Sequence, residues 1–135
     1  METNKKKRAG FTLVELLIVV AIVGVLVAIS IPIFSAQMYK AKVAVDEANV
    51  RAYFSQLQSD YIVTGTYDPR YEVSKNDNYY DTITYSDGTQ VKLQTGIYMV
   101  RVAGEFKNDT TAEDGYQIAY MSYDGKYTMV LGASE

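Results

Sequence analysis

The apolar residues of this chain are concentrated in one long run near its start. Between Phe11 and Phe34 lie 24 residues with a single ionisable side chain, Glu15. At ~1.5 Å per residue, a helix of that length spans roughly 36 Å, more than the ~30 Å hydrocarbon core of a bilayer. The pattern predicts a membrane-spanning helix over residues 11–34.

After this run the apolar positions become periodic. They recur in steps of three and four residues at Phe34, Met38, Ala41, Val45, Ala48 and Ala52, with Leu57 and Tyr61 further along. This spacing is typical of the apolar stripe of an amphipathic helix. We therefore expect the helix to continue over residues 35–63, to pack through this stripe of mostly small side chains, and to end at Thr64-Gly65.

The rest of the chain has the composition of short strands separated by turns. The β-rich runs cover residues 82–85, 89–93, 97–103, 116–123 and 126–131. Asp87-Gly88 separates the first two runs and Asp124-Gly125 the last two, and Asp-Gly between such runs is a strong hairpin signal. The predicted fold class is α+β, with a long N-terminal helix packed against a four- to five-stranded antiparallel sheet over residues 82–131.

Residues 64–81 are expected to form a polar connection between the helix and the sheet. Asn76, Asp77, Asn78 and Asp81 offer oxygen atoms that could bind calcium, but they lack the glycine and the closing glutamate of an EF-hand. A solvated loop is the favoured interpretation, and calcium binding within residues 72–81 stays open.

Charge indicates how the apolar helix is oriented. Residues 1–10 carry Lys5, Lys6, Lys7 and Arg8 against Glu2. Because basic residues beside a spanning segment remain on the cytoplasmic side, the start of the chain should lie inside and residues 35–135 outside. The abrupt change in composition falls between Gly10 and Phe11, so cleavage there would remove the basic leader and keep the apolar helix.

The sequence Gly10-Phe11-Thr12-Leu13-Val14-Glu15, placed between the basic leader and the long apolar run, resembles the class III signal of type IV pilins and related pseudopilins. The resemblance covers roughly residues 5–34. It implies that residues 1–10 are a leader, that an inner-membrane prepilin peptidase cleaves after Gly10, and that the same enzyme N-methylates Phe11. It further implies that the chain polymerises with copies of itself, on an inner-membrane assembly platform, into a helical filament with residues 11–34 at its core.

Three further residues of the helix are candidates for a role in assembly. A carboxylate within a spanning helix costs on the order of 2.5–3.5 kcal/mol, so Glu15 needs a partner. The resemblance implies that Glu15 pairs with the new amine of Phe11 on a neighbouring subunit, while the alternative is a cap on the first helical turn. Proline removes a backbone hydrogen bond, so Pro32 should weaken the helix, and the resemblance implies that the segment from Gly24 to Pro32 unwinds in the filament.

Composition argues against several other functions. The chain has no His and no Cys, so the commonest general base and metal ligand is missing and no disulfide can form. Loss of residues 1–10 would leave nine Lys and Arg against fifteen Asp and Glu, a net charge of −6, which disfavours nucleic acid as a partner. We expect no catalysis and no cofactor or metal.

Three functions are compatible with these features. The leading one is the major pilin of an extracellular type IV pilus, stored in the inner membrane before assembly. The second is the major pseudopilin of a type II secretion or DNA-uptake machine, confined to the cell envelope. The third is a single-span membrane protein whose exported domain binds a ligand and never polymerises.

Overall fold

One helix runs through almost half of the chain, and five short strands follow it. The computed structural model describes residues 10–68, 78–102 and 115–132. The elements are α1 (Leu13–Thr64), β1 (Thr82–Thr84), β2 (Gln90–Lys92), β3 (Gly96–Val102), β4 (Tyr116–Ser122) and β5 (Thr128–Leu131). The predicted α+β class is confirmed. The chain divides into two compact units, Met1–Met38 and Tyr39–Glu135, and α1 contributes residues to both.

The first part of α1 is exposed over its whole circumference. Every residue from Phe11 to Met38 is solvent-exposed, although most are large and apolar. By length and composition the helix could cross a membrane. Over residues 10–38, the described part of the first unit, no packed core accounts for the apolar side chains.

The second part of α1 packs through a different face from the one that we predicted. Its buried residues are Val43, Asp46, Val50, Tyr53 and Leu57, in steps of three and four. Of the predicted stripe, Leu57 is buried and Tyr61 half-buried, whereas Met38 and Val45 are 43% and 50% exposed and Ala41, Ala48 and Ala52 are also exposed. The predicted stripe is wrong over residues 34–52, because the larger side chains one or two positions away fill the core and because Asp46 is buried.

Buried Asp46 joins the helix to the connection between β2 and β3. Its carboxylate is 1% exposed and accepts hydrogen bonds from the Gln94 N–H at 3.0 Å, the Thr95 N–H at 2.7 Å and the Thr95 hydroxyl at 2.5 Å. Since the Thr95 hydroxyl proton points to Asp46, the Tyr120 hydroxyl donates to Thr95 Oγ1 at 2.9 Å. Hydrogen bonds to a charged group are stronger than neutral ones, so this network offsets the cost of burying the carboxylate.

The five antiparallel strands are divided between two sheets rather than joined in one. β1 pairs with β2, and the second sheet has the order β3-β4-β5. A bridge joins Tyr80, two residues before β1, to β3: the N–H groups of Tyr80 and Tyr98 each donate to the other residue's carbonyl at 2.8 Å. The amides of Gln94 and Thr95, which follow β2, bind Asp46 instead of continuing a ladder, and β2 ends there.

Both predicted hairpins are present. Gly88 and Gly125 have φ values of +85° and +68°, in the left-handed region that glycine adopts without strain. The Gly88 N–H donates to the Tyr85 carbonyl and the Gly125 N–H to the Ser122 carbonyl, each at 2.9 Å. The helix likewise ends as predicted, with Gly65 at φ +67° donating to the Tyr61 carbonyl at 2.8 Å.

Tyrosines form much of the core between α1 and the sheets. Tyr53, Tyr98, Tyr116 and Tyr120 are each 2% exposed or less. The Tyr53 ring meets Tyr85 and Tyr98 edge-on, at centroid distances of 5.7 and 5.8 Å, which is a favoured aromatic geometry. These four tyrosines therefore contribute to the packing of α1 against the strands.

A matched pair of substitutions distinguishes the two faces of α1. Val50 is 0% exposed and Val45 is 50% exposed. Val50→Ala should lower the free energy of unfolding by about 2 kcal/mol, since it removes buried methyl groups and leaves a cavity, and Val45→Ala should change it by less than about 0.5 kcal/mol. All 13 tyrosines lie in the second unit, so near-ultraviolet tyrosine dichroism of the full chain in detergent micelles follows its unfolding. Equal losses for both variants would contradict this packing.

Asp46→Ala should destabilise the same unit by about 3 kcal/mol. The substitution leaves two backbone N–H groups and the Thr95 hydroxyl without their acceptor in a buried site. Arg51→Ala, on an exposed part of the helix, serves as the control and should have little effect. Denaturant titration of both variants measures the difference, and an unchanged midpoint for Asp46→Ala would show that the network does not hold the helix to the sheets.

Candidate assembly site

The first turn of α1 is closed by a reciprocal pair of hydrogen bonds. The Glu15 N–H donates to Thr12 Oγ1 at 3.2 Å, and the Thr12 N–H donates to Glu15 Oε2 at 3.1 Å. This arrangement is a capping box, which satisfies two of the N–H groups that a helix start leaves without partners. In the single chain, Glu15 therefore acts as a helix cap.

Phe11 lies beside Glu15 at the start of the helix. The Phe11 side chain is 84% exposed, and open space surrounds the Cα atom of Gly10. An apolar groove of about 460 Å³ runs along this end of the helix, lined by Phe11, Glu15, Leu16, Ile18 and Val19. Residues 1–9 of the predicted leader lie outside the described residues, so the structure brings together only the leader's last residue, the predicted methylation site and the predicted pairing carboxylate.

Gly24 and Pro32 both lie within a continuous helix. α1 runs from Leu13 to Thr64 through both positions. The Ser30 hydroxyl donates to the Leu26 carbonyl at 2.7 Å and the Ser35 hydroxyl to the Ile31 carbonyl at 3.1 Å, so serines on either side of Pro32 add bonds to the helix backbone. The unwinding expected between Gly24 and Pro32 in a filament stays a prediction.

Within the second unit, α1 presents an uncharged face opposite to the one that the sheets cover. Val45, Ala48, Ala52, Ser55 and Ser59 are all exposed. At ~100° per residue, the centre of this group lies roughly 150° around the helix from the centre of the five buried residues of α1. The charged residues of this part of the helix, all of which the structure describes, lie outside that sector: Lys40, Lys42, Asp46, Glu47, Arg51 and Asp60. Val45, Ala48 and Ala52 of the stripe that we predicted as the core thus belong to an exposed, uncharged surface.

The residues proposed for calcium binding are only partly described. Asn76 and Asp77 lie outside the described residues, and Asn78 and Asp81 lie inside them. The Asp81 carboxylate accepts a hydrogen bond from the Thr82 hydroxyl at 2.9 Å and pairs with Lys92 Nζ at 3.3 Å, and these two contacts lower its pKa below the usual value. Asp81 is thus engaged by protein groups, and calcium binding stays a prediction.

Sequence reasoning missed a cleft on the outer face of the second unit. Tyr79 and Tyr123 line it together with residues of β1, β2 and β3. These residues come from separate stretches of the chain, and no local pattern marks them. The sequence shows only that tyrosines lie next to the predicted strands, and this does not indicate which of them are exposed or share a cleft.

Comparison with known proteins identifies a motif in the N-terminal part of the chain and two similar proteins. Residues 5–31 match the prokaryotic N-terminal methylation motif. The fimbrial protein EcpB of Eikenella corrodens is 51% identical over 37 residues, which cover 27% of this chain and 23% of the relative. The type IV major pilin protein PilA of Myxococcus xanthus (strain DK1622) is 43% identical over 56 residues, 42% of this chain and 25% of the relative.

The aligned stretches span about a quarter of the length of these relatives. No solved structure matches the chain. The motif match includes Gly10, Phe11 and Glu15, which lie at the start of the exposed helix. The chain therefore carries the prokaryotic N-terminal methylation motif, and part of it is similar to a fimbrial protein and to a type IV major pilin.

Proposed function

We propose that this chain is the major structural subunit of a type IV pilus, a filament of identical subunits held together by α1. The observation that carries the proposal is the exposed and mostly apolar surface of Phe11–Met38. Large apolar surfaces are removed from water by lipid or by other protein. In the precursor the lipid bilayer covers this surface, and in the filament the equivalent helices of neighbouring subunits cover it.

Processing converts the membrane form to the assembly form. The prepilin peptidase removes residues 1–10 and methylates Phe11, which leaves a positively charged amine at the start of the apolar helix. Open space around Gly10 and the exposed Phe11 side chain suit close approach of an enzyme to this backbone. The assembly platform in the inner membrane then receives a helix without its cytoplasmic basic segment.

Glu15 has a second role once the neighbouring subunit is in place. A carboxylate surrounded by apolar helices is costly unless it is paired. The amine of Phe11 on an adjacent subunit supplies the partner, and such a pair fixes the axial register between subunits, as single buried polar residues do in coiled coils. The capping box is compatible with this role, because a carboxylate accepts several hydrogen bonds.

The uncharged face of the second half of α1 extends the surface available to neighbours. Val45, Ala48 and Ala52 are exposed although they are apolar, and small side chains allow close packing of a neighbouring subunit. In the filament, the segment between Gly24 and Pro32 unwinds and gives the polymer its extensibility, since proline leaves one carbonyl of the helix without its N–H partner.

Replacement of Gly10 by leucine should block processing. A bulky side chain at this position prevents the backbone approach that cleavage requires, so the leader and an unmethylated Phe11 are retained. Gly24→Leu is the matched control, since that glycine also has open space around it but lies inside the helix. Intact-mass spectrometry of membrane fractions measures whether each variant has lost the leader. A normally cleaved Gly10→Leu protein would contradict the assignment of the cleavage site.

Substitutions at Glu15 and Thr12 separate intersubunit pairing from capping. Glu15→Ala should leave membrane insertion intact and reduce the yield of surface fibres at least about tenfold, because register is lost. Thr12→Ala removes the hydroxyl that accepts the Glu15 N–H, at a cost of about 1 kcal/mol to the helix, but keeps the carboxylate and should leave fibre yield within about threefold of the parent.

Fibre yield is measured by quantitative immunoblotting of filaments sheared from cells, with electron microscopy of antibody-labelled cells as the second readout. Equal losses for the two variants would indicate that Glu15 acts only as a cap. A processed chain that stays in the cell envelope and forms no surface fibre would instead indicate a pseudopilin.

A further inference from the structure

The outer face of the second unit contains an open cleft where its two sheets meet. The cleft has a volume of about 460 Å³ and is lined by residues from the segment before β1, from β1, β2 and β3, and from the turn after β4. Thr82 and Thr84 line it, while Ile83 between them is 0% exposed in the core. Because side chains alternate along a strand, the cleft faces away from α1.

The aromatic and apolar part of its lining consists of half-buried Tyr80 and Ile97 and of two exposed tyrosines. Tyr79 is 46% exposed and Tyr123 is 63% exposed, in contrast to the buried tyrosines of the core. Exposed rings that flank a concave surface present flat apolar faces together with polar hydroxyl groups. The fold thus leaves two large contact surfaces free at a site that contributes nothing to the packing against α1.

The rest of the lining is polar and mostly neutral. Thr84 and Gln90 are exposed side chains of β1 and β2, and their nearest polar atoms lie 3.5 Å apart, at the outer limit of a hydrogen bond. Asp81 is the acidic member, and its carboxylate is already bonded to the Thr82 hydroxyl and paired with Lys92. The cleft therefore offers a hydroxyl, an amide and carboxylate lone pairs without an uncompensated charge.

This combination excludes several classes of ligand. Nucleic acid needs Lys or Arg for its phosphates, and the described residues of the lining include neither. A cationic ligand needs an unpaired negative charge or a closed aromatic cage, and Asp81 is paired with Lys92. An acyl chain needs a mainly apolar cavity, and Asp81, Thr82, Thr84 and Gln90 make this one polar.

We infer that this cleft binds a neutral saccharide. The C–H face of a pyranose ring packs on an exposed tyrosine, and its hydroxyl groups both donate and accept hydrogen bonds, which suits the Thr84 hydroxyl, the Gln90 amide and the Asp81 carboxylate. An open site with few contacts gives a dissociation constant on the order of 1 mM for one sugar unit. This inference does not depend on polymerisation, although repetition along a filament would raise the avidity.

The test uses the purified full chain in micelles of a polyoxyethylene detergent, since a sugar-headgroup detergent would compete. The probes are the methyl glycosides of glucose, galactose and N-acetylglucosamine and their neutral disaccharides, with sialic acid and choline as charged comparisons. Saturation-transfer difference NMR at millimolar ligand detects weak contacts, and titration gives the affinity. We expect binding of at least one neutral sugar and none of choline.

Variants locate the binding to the cleft. Tyr123→Ala should weaken binding at least about tenfold, whereas Tyr123→Phe, which keeps the ring, should stay within about threefold. Thr84→Ala should weaken it about threefold, and Thr128→Ala, an exposed strand threonine that does not line the cleft, should leave it unchanged. Near-ultraviolet dichroism confirms that each variant is folded.

Three results would overturn the inference. One is the absence of any neutral sugar signal with the parent chain, and another is sugar binding that Tyr123→Ala and Tyr79→Ala leave unchanged. The third combines two findings: the parent binds no sugar, and substitution of Tyr123 abolishes the fibres. This result would assign the cleft to contact between subunits. Because sugar binding is measured on unassembled chains, a failure of the filament proposal leaves this test intact.

Discussion

The apolar side chains of Phe11–Phe34 need an environment other than water, and this need governs the rest of the molecule. From Leu13 onward they lie on one helix, and each of them is solvent-exposed in the part of the chain that the structure describes. The free energy that favours their removal from water is large, since each fully buried Val, Leu or Ile side chain contributes roughly 1.5–3 kcal/mol. A bilayer and a bundle of like helices satisfy the same requirement. The proposed passage from precursor to filament is thus an exchange of one apolar environment for another.

The second half of the same helix meets a different requirement, since it must hold the strands on one side and remain accessible on the other. Its buried face combines apolar packing by Val50, Tyr53 and Leu57 with the hydrogen bonds of Asp46. Apolar contacts alone are tolerant of small shifts along a helix, whereas a buried carboxylate with several fixed donors is not. Asp46 thereby fixes the strands to one position along α1.

Glu15 and Asp46 illustrate two uses of a carboxylate on one helix. Asp46 is fully satisfied by groups of its own chain, and its role is complete in the single subunit. Glu15 is exposed and bonds only locally to Thr12 in the described structure, so its surroundings are apolar side chains and whatever the assembly supplies. This difference in surroundings, rather than the chemistry of the carboxyl group, separates the folding role of Asp46 from the assembly role that we propose for Glu15.

The sequence by itself determined the features that depend on neighbouring residues. The length of the apolar run, the helix end at Gly65 and the hairpins at Gly88 and Gly125 follow from local composition and backbone preference, and the structure agrees with each. The start of the helix, with Thr12 and Glu15 three residues apart, is also local. The match of residues 5–31 to the N-terminal methylation motif concerns the same part of the chain.

Only the tertiary structure decided which face of the second half of α1 is covered. Helical periodicity allows both Ala48 and Val50 to be in the core, and the cost of burying a carboxylate disfavours Asp46 there unless hydrogen-bond donors are known. Its donors, Gln94 and Thr95, come from almost fifty residues away, and they also end β2 and divide the strands into two sheets. The cleft between Tyr79 and Tyr123 depends on that division. Contacts between residues so distant in the chain leave no periodic pattern in the sequence, and for this reason they were visible only in the folded molecule.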